Sequence, residues 1–339
     1  MRVAIVTVFN EYFNYGSFLQ AFALQEYLHE HDIQAELIQE FSFRRVKNKI
    51  RGVLTKDVKR LRFNVTRFAV YTFANRKLNS VQRFANRKYD AAILGSDEIW
   101  NLKNRTFDHS PIFFGDNIKA DLRISYAPSA NGMTFDDFAN SPREKSALGR
   151  IEYLSARDPR TVELVKSVTS RDVVEVLDPT FLIDWSGYEK TNTPSNYILV
   201  YCYDLSEQRI QLIEELAQQR NAKIISIGHY SNTKHSVIVV DPFLFLGYIK
   251  NALAVVTDSY HGTILSMQYN KPFCSFVGHN YKIDCVLEMF GLNSQNATKS
   301  TNLTEIFNQE IDYKSVNRLI SERKKISIQF LNNALGIKS

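Results

Sequence analysis

Residues 253–268 read LAVVTDSYHGTILSMQ, and the fold class turns on them. An apolar run closes at Thr257 and Asp258. Ser259, Tyr260, His261 and Gly262 follow, and a helix-like apolar pattern resumes at Ile264. A short unbroken apolar run suits a strand covered on both faces, which is the environment of a parallel sheet with helical crossovers. The same order recurs upstream: YILVYCY precedes SEQRIQLIEELAQQR, in which Ile210, Ile213 and Ala217 share a helical face. AKIISIG, SVIVV and FCSFV supply further strands, and residues 313–335 form a last helix with Val316, Leu319, Ile320, Phe330 and Leu331.

The first half repeats the pattern. RVAIVTVF (2–9) reads as a strand and NEYFNYGS as a turn. A helix is expected from about Ser17, capped by it, with Leu19, Phe22, Ala23 and Tyr27 on one side. AELIQE, YDAAILGSDEIW, RISYAPSA, IEYLSARD and VVEVLDPTFL each join an apolar run to small or polar residues. This alternation predicts an α/β chain of two Rossmann-like domains, with mostly parallel sheets facing a cleft. The polar stretch EKTNTPSN (189–196) is the expected boundary. It gives an N-terminal domain over 1–188 and a C-terminal domain over 196–310. A helical tail over 311–339 is expected to pack back on the first domain.

At 339 residues the chain exceeds one ordinary core, in keeping with two domains. Its 44% hydrophobic and 23% charged residues exclude a disordered or fibrous chain. Cys202, Cys274 and Cys285 form no CxxC pair, which speaks against a zinc ribbon or disulfide framework and for a reducing compartment. The opening apolar run soon meets Asn10 and Glu11, as a buried strand does and a signal peptide does not. No run approaches the roughly 20 apolar residues of a membrane span. A soluble cytoplasmic protein is expected.

Charge is unevenly placed. Residues 44–88 hold 15 Lys and Arg against one acid, Asp57; this +14 leaves −8 on the rest within an overall +6. Val53, Leu54, Val58, Leu61, Phe68, Val70, Tyr71 and Phe73 are threaded through the stretch. Solvated surface helices are the plain explanation; a basic amphipathic insertion resting on an anionic membrane surface is the sharper one. Nucleic acid ranks last, because the rest of the chain is acidic and has no recognised nucleic-acid motif.

In parallel sheets the informative residues follow the strands. These are Asn14-Tyr15-Gly16-Ser17, Gly95-Ser96-Asp97, Ser125 with Ser129, Arg157-Asp158, Asp178-Pro179-Thr180, Gly228-His229 and 258–263. Each can be a turn or a cap, yet helix starts with small residues also present free N–H groups to anions. NYGS lacks the lysine of a phosphate loop, and GxGxxG is absent. Arg157 suits a carboxylate or phosphate, and His261 is the one histidine between a strong strand and a Gly-Thr helix start. No His/Asp/Glu spacing resembles a metal site.

NYGSFLQAFALQEYL, YDAAILGSDEIW, ISYAPSA, SARD, LDPTFL and TDSYHGTILSMQYNKPF occur in this order over about residues 3–277. In this they resemble the polysaccharide pyruvyl transferase family. The resemblance implies a GT-B-like fold and transfer of pyruvate from phosphoenolpyruvate to a hexose of a cell-surface polysaccharide precursor, yielding a cyclic ketal. Phosphoenolpyruvate would be the donor substrate, with no cofactor and no metal. The acceptor would be lipid-linked or nucleotide-linked, the basic stretch favouring lipid at the inner face of the plasma membrane.

Carried onto this chain, the resemblance makes His261, Arg157 and Asp97 the catalytic candidates. Asn14, Tyr15, Gly16, Ser17, Ser96, Ser125, Asp158, Asp258, Ser259, Tyr260, Gly262 and Thr263 are the substrate-binding candidates. Several members carry arginine two residues before this histidine; here Ser259 stands there, which leaves open a differently held donor, with a cation from elsewhere such as Lys234 or the basic stretch, or a donor that is another compound. Two other readings stay open: a nucleotide-sugar glycosyltransferase of the same architecture, and a polysaccharide-assembly adaptor without catalysis.

Overall fold

Five parallel strands make the first sheet: β1 (Arg2–Val6), β2 (Gln34–Gln39), β3 (Ser80–Gln82), β4 (Lys88–Leu94) and β5 (Lys119–Ser125), in the order β3-β2-β1-β4-β5. A two-residue pair, β6 (Ser155–Ala156) with β7 (Val174–Glu175), follows. The second sheet repeats the plan with β8 (Tyr197–Tyr201), β9 (Lys223–Ile227), β10 (Ser236–Ile238), β11 (Ala254–Thr257) and β12 (Phe273–Ser275), in the order β10-β9-β8-β11-β12, again all parallel. The structure is a computed structural model and describes residues 1–9, 14–39, 47, 51–82, 87–104, 110–229, 235–278 and 280–337.

The central strands are apolar on both faces because both faces are covered. Val3, Ala4 and Ile5 of β1 and Ile198 and Leu199 of β8 are fully buried. Val255 pairs Leu199 on one side and Phe273 on the other, so the run Ala254–Thr257 lies inside its sheet. IEYLSARD and VVEVLDPTFL form only two-residue strands. Pairing is cut short where Arg157, Asp158 and Asp178 turn into side-chain hydrogen bonds and helix caps.

The helices that position the site are α1 (Tyr15–Glu30), α2 (Val58–Ala74), α3 (Pro159–Thr169), α4 (Glu207–Gln219), α5 (Pro242–Asn251), α6 (Tyr260–Gln268), α7 (Tyr281–Met289) and α8 (Tyr313–Leu335). Helix α1 starts two residues earlier than its sequence suggested, because Asn14 and not Ser17 is the cap. Asn14 Oδ1 accepts from Gly16 N at 2.8 Å and Ser17 N at 3.3 Å, which frees the Ser17 hydroxyl.

Helix α1 is also buried nearly all round rather than on one side. It packs on β2 and on α5 and α6, and one apolar cluster runs through it from the first sheet to the second. Its buried amides are satisfied in place: Gln20 Nε2 donates to Val8 O at 2.7 Å and Gln25 Nε2 to Ala35 O at 3.1 Å. At the far end of the chain, α8 meets first-half elements. Tyr27 Oη donates to Asn332 Oδ1 at 2.8 Å, and Leu177 N donates to Ser327 Oγ at 2.8 Å.

Of the basic stretch, α2 is the main described part. Asp57 caps it, and Phe63, Asn64, Tyr71 and Ala74 turn inward. Leu54, Val58 and Phe73 remain 67%, 78% and 65% exposed beside the basic side chains. No helix among the described residues is long and apolar enough to cross a membrane.

Candidate functional site

In each sheet the strand order reverses at one place, between β1 and β4 and between β8 and β11. Open α/β sheets bind ligands in the crevice beyond the carboxyl ends of the strands at such points. Here the two crevices face each other across a cleft of about 240 Å³. Val8, Asn14 and Ser17 after β1, and Asp97, Glu98 and Asn104 after β4, form one wall. Tyr203 after β8 and Asp258–His261 after β11 form the other, joined by Asn280 and Lys282 at the start of α7.

His261 is only 5% exposed. Ser259 caps α6 and places His261 in the first turn, against the start of α1. The fit is close: a Cβ on Gly16 would lie 2.0 Å from His261 Nδ1, so glycine is required there by the imidazole. On its other side His261 Nε2 lies 3.6 Å from Asp178 Oδ2, an electrostatic contact beyond hydrogen-bond length. We expect Gly16→Ala to displace the imidazole and cut turnover at least about tenfold, with stability changed by only ~1–3 kcal/mol. Kinetics beside a thermal melt checks this; an unaltered rate would mean that the imidazole position is unimportant.

Asp178 is the hub behind the histidine. It is fully buried, receives Arg157 Nη1 at 2.7 Å and Ser96 Oγ at 3.2 Å, and caps its own turn through Thr180 N. Burial alone would raise its pKa, but the His261 ring and the Arg157 guanidinium hold the carboxyl well below the usual range. Arg157 is itself 98% buried, so it pairs, with Asp97 Oδ1 3.8 Å from its Nη2. Its guanidinium lies 4.4 Å from the centre of the Tyr260 ring. Burial would lower its pKa, yet Tyr260, Asp178 and Asp97 together raise it, so it stays a cation. It lines a narrow void behind Tyr260 rather than the main cleft.

On the opposite wall Asp97 adopts a left-handed backbone, φ 69°, uncommon for a residue with a side chain. Its Oδ2 accepts from Ser17 Oγ at 2.9 Å and its Oδ1 from Glu98 N at 2.9 Å. Glu98 accepts from Lys282, Asn101, Asn104 and Asn131. Burial pushes its pKa up, but Lys282 and the amides outweigh that and hold it at about 2.

The candidates from sequence separate into two groups. Asn14, Ser17, Asp97, Asp258, Ser259, Tyr260 and His261 line the cleft, with Gly16 pressed on the imidazole and Ser96 on Asp178. Asp258 is held by Tyr203 N and Asp204 N at 2.8 and 2.9 Å. Burial raises its pKa against these bonds.

The others serve the framework. Tyr15 is buried, donating to Val240 O at 3.0 Å and stacking on Phe245. Ser125 donates to Ser155 O at 2.9 Å, Asp158 caps α3 through Thr161 N, and Thr263 donates to Ser259 O. Gly262 fits against Thr257. His229, the secondary histidine, packs tilted against Tyr203 with ring centres 4.2 Å apart; burial and Arg67 lower its pKa to about 4. Lys234 lies outside the described residues.

Sequence reading gave no role to Asp178, Glu98, Tyr203, Asn280 or Lys282. Asp178 was visible as a polar turn after an apolar run. Lys282 carried no signal, since a lysine early in a surface-like helix resembles any solvated lysine.

Comparison with known proteins agrees with this architecture. A family profile described as Polysaccharide pyruvyl transferase matches residues 14–280. No curated protein is matched. Among solved structures, a UDP-N-acetylglucosamine 2-epimerase is similar with TM-score 0.56 and 10% identity, covering 98% of this chain and 95% of that one. The UDP-GlcNAc 2-epimerase from Neisseria meningitidis, bound to UDP-GlcNAc, has TM-score 0.53 and 13% identity, with 98% and 100% covered. The glycotransferase of kitacinnamycin has TM-score 0.51 and 10% identity, with 98% of each chain covered. At such identities the likeness shows the fold alone, which is GT-B-like. The family match covers most of the chain, so the chain belongs to the polysaccharide pyruvyl transferase family and is a transferase.

Proposed function

We propose, from that family membership, that the chain moves pyruvate from phosphoenolpyruvate to a hexose of a lipid-linked or nucleotide-linked cell-surface polysaccharide precursor, forming a cyclic ketal. The observation that carries the reading is His261, buried on the cleft wall between Gly16 and the Asp178–Arg157 pair. Delivery of a proton to the methylene carbon of the donor makes C2 cation-like. One sugar hydroxyl adds there and gives up its proton. A second hydroxyl then closes the ring as phosphate leaves, so atoms balance as donor plus diol to ketal plus phosphate. His261 is the acid–base group, with Asp178 behind its ring at 3.6 Å. Arg157 is a positioning residue, acting through Asp178 and Tyr260, while Asp97 and Ser17 face the acceptor hydroxyls.

The same reading divides the chain into domains over 1–188 and 196–310, with the cleft between them. It also puts the protein in the cytoplasm, peripheral on the inner face of the plasma membrane, where α2 and the basic stretch meet anionic lipid. Vesicles containing anionic lipid should bind the protein, and added salt should weaken binding. Reversing Lys56, Lys59, Arg60 and Arg62 together to glutamate should abolish it. Binding unchanged by that reversal would sink the membrane assignment.

The direct test is thermal stabilisation by phosphoenolpyruvate beside a panel of nucleotide sugars, followed by an acceptor search. Stabilisation by phosphoenolpyruvate supports pyruvyl transfer. Stabilisation by a nucleotide sugar alone would move the assignment to glycosyl transfer.

A further inference from the structure

Lys282 is the one lysine or arginine among the described residues that line the cleft. Its side chain is 8% exposed and crosses from α7 to Glu98 on the opposite wall. An ammonium has three donors. Among the described residues Glu98 is its one hydrogen-bond acceptor, which leaves two donors for the cleft. Glu98 does not depend on this contact alone, since Asn101, Asn104 and Asn131 also donate to it.

The surroundings of Lys282 favour an anion. Its Nζ lies 5.8 Å from the centre of the Tyr260 ring, whose neighbour on the other count is the Arg157 guanidinium at 4.4 Å. His261 lines the same cleft, with its Nε2 turned to the buried Asp178 at 3.6 Å. The carboxylates of the cleft are by contrast already occupied: Asp97 by Ser17 and Glu98 N, Asp258 by the Tyr203 and Asp204 amides. An incoming anion therefore finds open donors at Lys282 and filled acceptors elsewhere. Glu98, held at about 2 against burial by Lys282 and the amides, stays ionised.

We infer that Lys282 holds the anionic group of the donor, its carboxylate or phosphate, while Glu98 is a counter-ion with which the donor competes for the ammonium. The inference rests on the pyruvyl-transfer reading and deepens it. A structural tie across the cleft is the competing explanation, and the two separate cleanly. If the pair is only a tie, Lys282→Met and Glu98→Gln weaken the protein and its ligand binding alike. If Lys282 receives the donor, Glu98→Gln releases the ammonium and leaves binding equal or tighter, whereas Lys282→Met destroys it.

The experiment is calorimetric titration of phosphoenolpyruvate, inorganic phosphate and pyruvate into the full chain, wild type and variants. Lys282→Met leaves Glu98 without its cation, so the double variant Lys282→Met/Glu98→Gln removes the pair together and guards against misfolding. We expect both lysine variants to bind phosphoenolpyruvate at least about thirtyfold more weakly, with Glu98→Gln at or above wild-type affinity. Loss that follows phosphate, or follows pyruvate, supports the inference and says which donor group the lysine holds. Undiminished phosphoenolpyruvate binding by the lysine variants overturns it and leaves pyruvyl transfer standing. A parallel fall in Glu98→Gln does the same. Wild type that binds a nucleotide sugar and no phosphoenolpyruvate overturns both readings.

Discussion

His261→Gln should lose transfer by about 100- to 10,000-fold while melting within a few degrees of wild type. Glutamine keeps a planar polar group of similar reach and removes the ability to exchange a proton. Among the described residues His261 Nε2 makes no hydrogen bond; its one electrostatic contact, with Asp178 at 3.6 Å, is shared with Arg157, which stays in place. The ring fills space against Gly16, and glutamine fills most of it. The loss should appear in kcat more than in donor binding, because the proton is needed at the transition state. A variant that turns over at the wild-type rate would remove His261 from the chemistry.

Arg157→Met should cost far more stability than any cleft substitution, about 3–5 kcal/mol, or a fall in Tm of roughly 10 °C. The reason is Asp178. It is fully buried, and its carboxylate is kept ionised against burial by His261 and Arg157. A carboxyl depressed in the folded state stabilises the fold above its unfolded pKa and loses that contribution only as pH falls through the lower folded value. Removing Arg157 weakens this support, so burial pushes the Asp178 pKa upward. The variant should therefore lag wild type most near pH 7 and least towards pH 4, where protonation of Asp178 cancels the unpaired charge. Denaturant melts at the two pH values measure this directly. Arg157→Met with Asp178→Leu should recover most of the stability without recovering transfer. An equal gap at both pH values would mean that Asp178 is not the stranded charge.

These two variants separate roles that the sequence had merged. His261 and Arg157 both follow strands and both suit an anion, so both read as direct contacts. Only the tertiary structure shows Arg157 buried behind Tyr260, off the cleft lining, as the proposed positioning role requires. Ser17 illustrates the opposite case. It read as a cap, but Asn14 takes that work and leaves the hydroxyl to bond Asp97, 80 residues away.

The sequence by itself determined the parallel α/β plan, because covering both faces of a strand imposes short apolar runs that are local and visible in LAVVT or YILVY. It also determined that His261 lies in a strand-to-helix turn, and the ordered motifs pointed to the family. Helix α1 escaped the one-sided pattern because neighbours on several sides bury it, a property of the assembled fold. The partners of the site were equally invisible. Asp178 reaches Arg157 across 21 residues of sequence, and Lys282 reaches Glu98 across 184. Ion pairs of that separation leave no periodicity in a chain. They exist because two sheets turn the ends of β1, β4, β8 and β11 towards one cleft, and only the tertiary structure decides which charges meet there.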